Sequence, residues 1–267
     1  MSELKTINVM KKSALVFIII SFGASSCLEN IICLDGNGNL TTESRQVNQI
    51  TELVNTTSLD IICRKADSVS VNITAESNLI GHIVTSSSGG RLEIRTDPRN
   101  TCFDYTLRPV ITITAPSLSA VDLTGSGSFE ADSLHASKVE VRSTGSGNLY
   151  AGGISSDYLQ IAIGGSGDVA VTSATCLESD FTLSGSGNLE ISGKAGKGTM
   201  RVSGSGDVKS AGYEISTATE TTTGSGNIYT LVINTLNAVI SGSGNIYVKG
   251  NPVINQTVSG SGRVIKY

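Results

Sequence analysis

The sequence predicts an all-β protein wound as a parallel β-helix, a solenoid with coils of about 20 residues. Three observations predict it. Gly-Ser-Gly occurs eight times, starting at Gly125, Gly145, Gly165, Gly185, Gly204, Gly224, Gly242 and Gly260, at intervals of 20, 20, 20, 19, 20, 18 and 18 residues. Apolar residues alternate with polar ones on both sides of each copy, the mark of strands with one buried face. The corner chemistry is uniform: six of the eight copies are followed by Asn or Asp, and seven are preceded by Ser or Thr. Hairpin tips of a meander tolerate more variation than this. Stacked corners must each match their neighbours.

The first element is an address. Lys11 and Lys12 precede an apolar run from Ala14 to Phe22, followed by Gly23, Ala24, Ser25, Ser26 and Cys27. A basic start, a short apolar core and small residues make residues 1–26 a secretory signal. The run is shorter than the ~20 apolar residues that span a bilayer. Small residues directly before Cys27 resemble a bacterial lipobox, although Ala24 stands where Leu is usual. Cys27 is therefore the expected lipidation site, and the protein is expected on the outer membrane, at the cell surface or on its periplasmic face. Met10-Lys11-Lys12 is itself a plausible start of translation.

Residues 27–44 contain Gly36-Asn37-Gly38-Asn39 and read as a flexible tether. Residues 45–120 lack Gly-Ser-Gly but still alternate: Val69, Val71 and Ile73 share a face, as do Leu92 with Ile94 and Ile111 with Ile113. They read as irregular coils of the same solenoid.

Residues 121–267 form the regular repeat. Two positions before the first Gly stand Leu123, Ser143, Ile163, Leu183, Val202, Thr222, Ile240 and Val258. Two positions after the second Gly stand Phe129, Leu149, Val169, Leu189, Val208, Ile228, Ile246 and Val264. Both sets should face the core. Gly, Asn and Asp at the corner predict positive φ there, and a side chain at a corner glycine is expected to crowd the adjacent coils, with hydroxyl and amide side chains laddered from coil to coil.

Export permits disulfides. Cys33, Cys63, Cys102 and Cys176 allow three pairings, among which sequence does not choose. Cys176, inside a regular repeat, reads as a buried free thiol.

Composition argues against several functions. The net charge of -4 becomes more negative once residues 1–26 are removed, which opposes nucleic-acid binding by phosphate neutralisation. Gly193-Lys-Ala-Gly-Lys-Gly-Thr lacks phosphate-loop spacing. Gly164-Gly-Ser-Gly-Asp168 has neither the nine-residue period nor the Asp position of calcium-binding β-rolls. His82 and His135 are isolated, so no metal or cofactor is expected. Glu190 and Lys209, at equivalent outward positions, read as a cross-strand charge pair.

Taken together, Pro109-Val-Ile-Thr-Ile-Thr-Ala-Pro-Ser-Leu, Asp122-Leu-Thr-Gly-Ser-Gly and the recurring Gly-Ser-Gly-Asn/Asp resemble the family described as putative auto-transporter adhesin, head GIN domain. Leu59-Asp-Ile-Ile and Ser70-Val-Asn-Ile-Thr resemble its entry strands. The resemblance covers about residues 45–267. It implies a right-handed β-helical exported protein of the kind common in Bacteroidota, often lipid-anchored. It brings no catalytic residues.

The expected function is a non-enzymatic, lipid-anchored surface protein that binds a protein or carbohydrate along the solenoid. The rivals are a structural envelope component and a polysaccharide-active enzyme, which would need charged residues clustered in a groove. The outward position three places after the second Gly reads Glu130, Tyr150, Ala170, Glu190, Lys209, Tyr229, Tyr247 and Ile265. Tyr229, Tyr247 and Ile265 should stack on consecutive coils and form the candidate partner contact. The chain stops at Arg263-Val-Ile-Lys-Tyr267 with no capping segment. That predicts an open edge at the C-terminal coil, available for oligomerisation.

Overall fold

The structure, a computed structural model, describes residues 33–267. The signal segment 1–26 and Cys27 lie outside the described residues. The first strands are β1 (Leu34–Asp35), β2 (Leu40–Arg45), β3 (Glu52–Asn55), β4 (Asp60–Lys65) and β5 (Ser70–Glu76). A 3-10 turn at Ile80–His82 leads to β6 (Ile83–Ser88), β7 (Arg91–Thr96), β8 (Phe103–Asp104) and β9 (Val110–Ala115). The repeat opens with β10 (Ala120–Leu123), β11 (Phe129–His135) and β12 (Lys138–Ser143). Five long strands then each run from one Gly-Ser-Gly corner to the next: β13 (Leu149–Ile163), β14 (Val169–Leu183), β15 (Leu189–Val202), β16 (Val208–Thr222) and β17 (Ile228–Ile240). The last coils hold β18 (Ile246–Lys249), β19 (Val253–Val258) and β20 (Val264–Lys266).

Every strand pair within the repeat is parallel, so the chain is a β-solenoid as the period predicts. Leu149, Val169, Leu189, Val208, Ile228, Ile246 and Val264 are successive register partners. All but the partly buried Val264 are fully enclosed. The row before the corner is buried likewise until Val258, which is 44% exposed on the last coil. Ser143 and Thr222 keep their inward places; the Thr222 hydroxyl donates to the Gly226 carbonyl at 3.2 Å.

Of the two reasons expected for glycine at the corner, the structure bears out crowding against adjacent coils and not positive φ. None of the Gly-Ser-Gly glycines has positive φ, and neither do the following Asn and Asp residues. Instead, a Cβ at Gly145, Gly165, Gly185 or Gly204 would overlap the carbonyl oxygen of the corner glycine one coil earlier. Glycine lets the turns approach each other, and the backbone N–H of Ser166 then reaches Gly145 O at 3.1 Å. The amide ladder does form. The Oδ1 atoms of Asn148, Asp168, Asn188, Asp207, Asn227 and Asn245 each accept the backbone N–H of the equivalent residue one coil on, at 2.7 to 3.0 Å, ending at Arg263. The hydroxyls beside it are exposed, and no hydroxyl-to-hydroxyl ladder forms among the described residues.

Coils of 18 to 20 residues share one stack because the differences fall away from the Gly-Ser-Gly corner. Register shifts lie between Val171 and Ala174, between Glu190 and Ser192, between Ser210 and Glu214, and between Ile215 and Thr217.

Residues 45–120 are only partly coils. β3 and β4 stack parallel beneath β10 and β11, and β7 and β9 stack parallel on β3 and β4. Beyond them the direction reverses: β6 runs antiparallel to β7, β5 to β9, and β2 to β5. The β6–β7 connection turns on Gly89 and Gly90, with φ of 59° and 83°, the conformation a two-residue hairpin needs. Alternation identifies the strands and their buried faces but is blind to direction.

The tether reading also needs correction within the described residues. β1 pairs with β8, and Cys33 is disulfide-bonded to Cys102. The loop between β1 and β2 wraps the buried Glu76 carboxylate, which accepts the Gly38 N–H at 2.5 Å and the Thr106 N–H at 3.1 Å. A Cβ at Gly36 would overlap that carboxylate, so this glycine serves close approach and not flexibility. Cys63 and Cys176 are buried free thiols, as expected for Cys176. Burial pushes the Cys63 thiol up to about 11 and raises Cys176 as well, so neither is a ready nucleophile.

Candidate binding face

Strand alternation sends every second side chain outward, and parallel stacking turns each outward position into a column along the solenoid. The column three places after the corner runs Ile62, Glu130, Tyr150, Ala170, Glu190, Lys209, Tyr229, Tyr247, Ile265, each residue the register partner of the next. The structure therefore brings Tyr229, Tyr247 and Ile265 together on consecutive coils. The rings of Tyr229 and Tyr247 are stacked, with centroids 4.7 Å apart and planes 5° from parallel. Tyr267 meets Tyr247 edge-on at 6.3 Å. The stacked pair is half-buried, so the rings share their inner faces with each other. Burial is the main cause of the raised Tyr229 phenol pKa, with the charge of Asp207 adding to it.

Glu190 and Lys209 stand directly opposite on neighbouring strands, without closing to an ion pair among the described residues. Elsewhere Arg64 bridges Glu130 at 3.0 Å and Asp132 at 2.7 Å. Such exposed pairs contribute little to stability.

His82 and His135 are not brought together: His82 Nδ1 donates to the Asp97 carbonyl at 3.0 Å, and His135 is exposed on β11. Among the described residues no group of three or more His, Cys, Asp and Glu side chains is placed to hold a metal. The core contains one unusual acid, Glu220, fully buried on β16 with both carboxylate oxygens unbonded. Sequence reasoning missed it, since Glu220 sits at an inward position of an otherwise apolar and hydroxyl pattern. It also passed over Tyr150, whose signal was the small Ala170 beside it in the same column.

A family model described as putative auto-transporter adhesin, head GIN domain matches residues 50–181 and 152–252. The chain belongs to this family. Solved structures agree in fold. A putative lipid binding protein from Parabacteroides distasonis is 27% identical, with a TM-score of 0.82, covering 88% of this chain and 100% of its own. A putative adhesin from Parabacteroides merdae is 20% identical with a TM-score of 0.82, covering 88% and 98% respectively. Another from Parabacteroides distasonis is 21% identical with a TM-score of 0.78, covering 88% and 100%. No curated protein matches the chain. The adhesin family suggests a surface or exported protein, and among the described residues no helix is long and apolar enough to cross a membrane.

Proposed function

We propose that this head GIN domain protein is a non-enzymatic, exported surface protein, held to the membrane by a lipid on Cys27, that binds a protein or glycan partner along its flank. The observation that carries the reading is the column of Tyr229, Tyr247 and Ile265, joined by Tyr267, on consecutive coils. Tyrosine offers a flat apolar body with a hydroxyl at its rim, a combination suited to sugar rings and protein surfaces. The adhesin descriptions of the family and of the Parabacteroides structures support it. The Tyr229–Tyr247 stack also favours a second reading, an envelope component in which the rings serve as a stabilising cross-strand ladder.

The double substitution Tyr229→Ser with Tyr247→Ser separates the two. A contact role predicts loss of partner binding, or of self-association through the last coil, in pull-down, glycan-array and light-scattering measurements. If every interaction survives and only the melting temperature falls, the stripe is structural and the contact reading fails.

The anchor is tested separately. Cys27→Ser is expected to abolish acyl labelling and move the protein from the membrane to the soluble fraction. Unchanged labelling and partition in that variant would refute lipidation at Cys27.

A further inference from the structure

At the opposite end of the same column lies a cleft of about 420 Å³ over the outer face of β4, β11, β13 and β14. That volume falls within the range of small-ligand sites. Its prominent group is Tyr150, 47% exposed. The Tyr150 hydroxyl is hydrogen-bonded to the Thr172 hydroxyl at 2.9 Å. Thr172 lies one coil on and two residues beyond Ala170, the register partner of Tyr150. The ring therefore leans along the solenoid toward the next coil, where alanine leaves room for it. Unlike Tyr229 and Tyr247, it is not stacked on another aromatic ring among the described residues.

Polar groups surround this platform on the corner side. Asn148 uses Oδ1 to accept the Asp168 N–H, leaving its amide Nδ2 as a donor. Asp168 accepts both hydrogen bonds from Asn188 on Oδ1, leaving Oδ2 as an acceptor. Glu130 and Asp60 line the cleft and are held from outside it by Arg64 and Arg108. Ile62 and Val110 supply an apolar wall, and among the described residues no basic side chain lines the cleft.

We infer that the Tyr150 cleft is a subsite for an uncharged sugar ring. A pyranose has an apolar face that stacks on a flat aromatic ring and an equatorial rim of hydroxyls that both donate and accept. Tyr150 supplies the first requirement; the Asn148 amide and the Asp168 carboxylate supply the second. Asp60 and Glu130 are each paired with an arginine, and the unpaired charge of Asp168 at the rim disfavours a uronate or a sulfated sugar. The inference rests on the reading of this chain as a binding protein but places glycan recognition away from the C-terminal tyrosines.

The test is an NMR titration of the purified chain with the methyl glycosides of glucose, galactose, mannose and N-acetylglucosamine at millimolar concentration, with glucuronate as the charged comparison. At least one neutral glycoside should shift the amides around Tyr150, Ala170 and Thr172, and glucuronate should not. Tyr150→Ala should weaken that binding about tenfold or more, whereas Tyr150→Phe keeps most of it. Leu177→Ser, at an exposed position of β14 outside the cleft, should bind the sugar unchanged. Three results would overturn the inference: no neutral glycoside shifting these amides, glucuronate binding equally well, or full binding in Tyr150→Ala. A partner lost only in the Tyr229/Tyr247 variant, with no sugar at Tyr150, would sink this subsite and leave the broader reading standing. Absence of any interaction at either end would remove both.

Discussion

Gly187→Val should unfold the solenoid more readily than wild type by about 3 kcal/mol, the upper part of the range for overpacking a filled site. Gly187 is buried at the second glycine of its corner. A Cβ there would overlap the Gly167 carbonyl oxygen of the preceding coil and sit 3.0 Å from the Ile163 Cγ2. The oxygen cannot retreat cheaply, because Gly167 belongs to a corner stacked on Gly147 in the same way. Ser186→Val is the control. Ser186 is exposed between the two glycines, and its substitution should change stability by no more than about 0.5 kcal/mol. Denaturant unfolding of both variants decides the matter: equal midpoints would show that coil spacing does not depend on the missing Cβ.

The second large effect concerns Glu220. Burial raises its carboxyl from 4.5 to about 7, while the nearby Thr230 hydroxyl pulls weakly the other way without closing to a hydrogen bond. Below pH 4.5 the group is neutral whether the chain is folded or not, and it carries no ionisation penalty. As pH rises, the unfolded chain ionises first and gains on the folded one. The loss grows until the folded-state carboxyl also titrates near 7 and then levels off at about 3 kcal/mol. Glu220→Gln should therefore match wild type in acid and exceed it in stability at mildly alkaline pH, with a flatter profile between. Denaturant midpoints at about pH 4 and about pH 8 measure this directly. A wild-type profile no steeper than that of the variant would remove the buried acid as the source.

Much of this fold was legible because a solenoid repeats its own instructions. Leu149 and Val169 could be assigned to one buried row from their offset to the corner alone. The antiparallel direction of β2, β5 and β6 was not legible, because nothing in an alternating run encodes strand direction. At the corner the residues and the crowding between coils were legible, whereas the expected positive φ was wrong. Glycine meets two different demands, a positive φ or a close neighbour, and sequence records the residue without the demand. Gly36 gave the same trouble, reading as flexibility when it makes room for Glu76. The tyrosine column followed from spacing, whereas the mutual stacking of Tyr229 and Tyr247 and the leaning of Tyr150 toward Thr172 depend on side-chain torsions that no spacing reveals.

That the register shifts spare the Gly-Ser-Gly corner and the outward column beside it has a consequence for how such chains evolve. One edge of the molecule is locked, since corner glycines tolerate neither a side chain nor a change of phase. The stretch between Ser210 and Glu214 absorbs whole residues while the outward column stays aligned from Lys209 to Tyr229. A codon gained or lost there edits one local loop and leaves the rest of the surface in place. Loops can thus be varied, or grafted by design, on the editable edge, and entire coils duplicated at the locked one, without renegotiating the core.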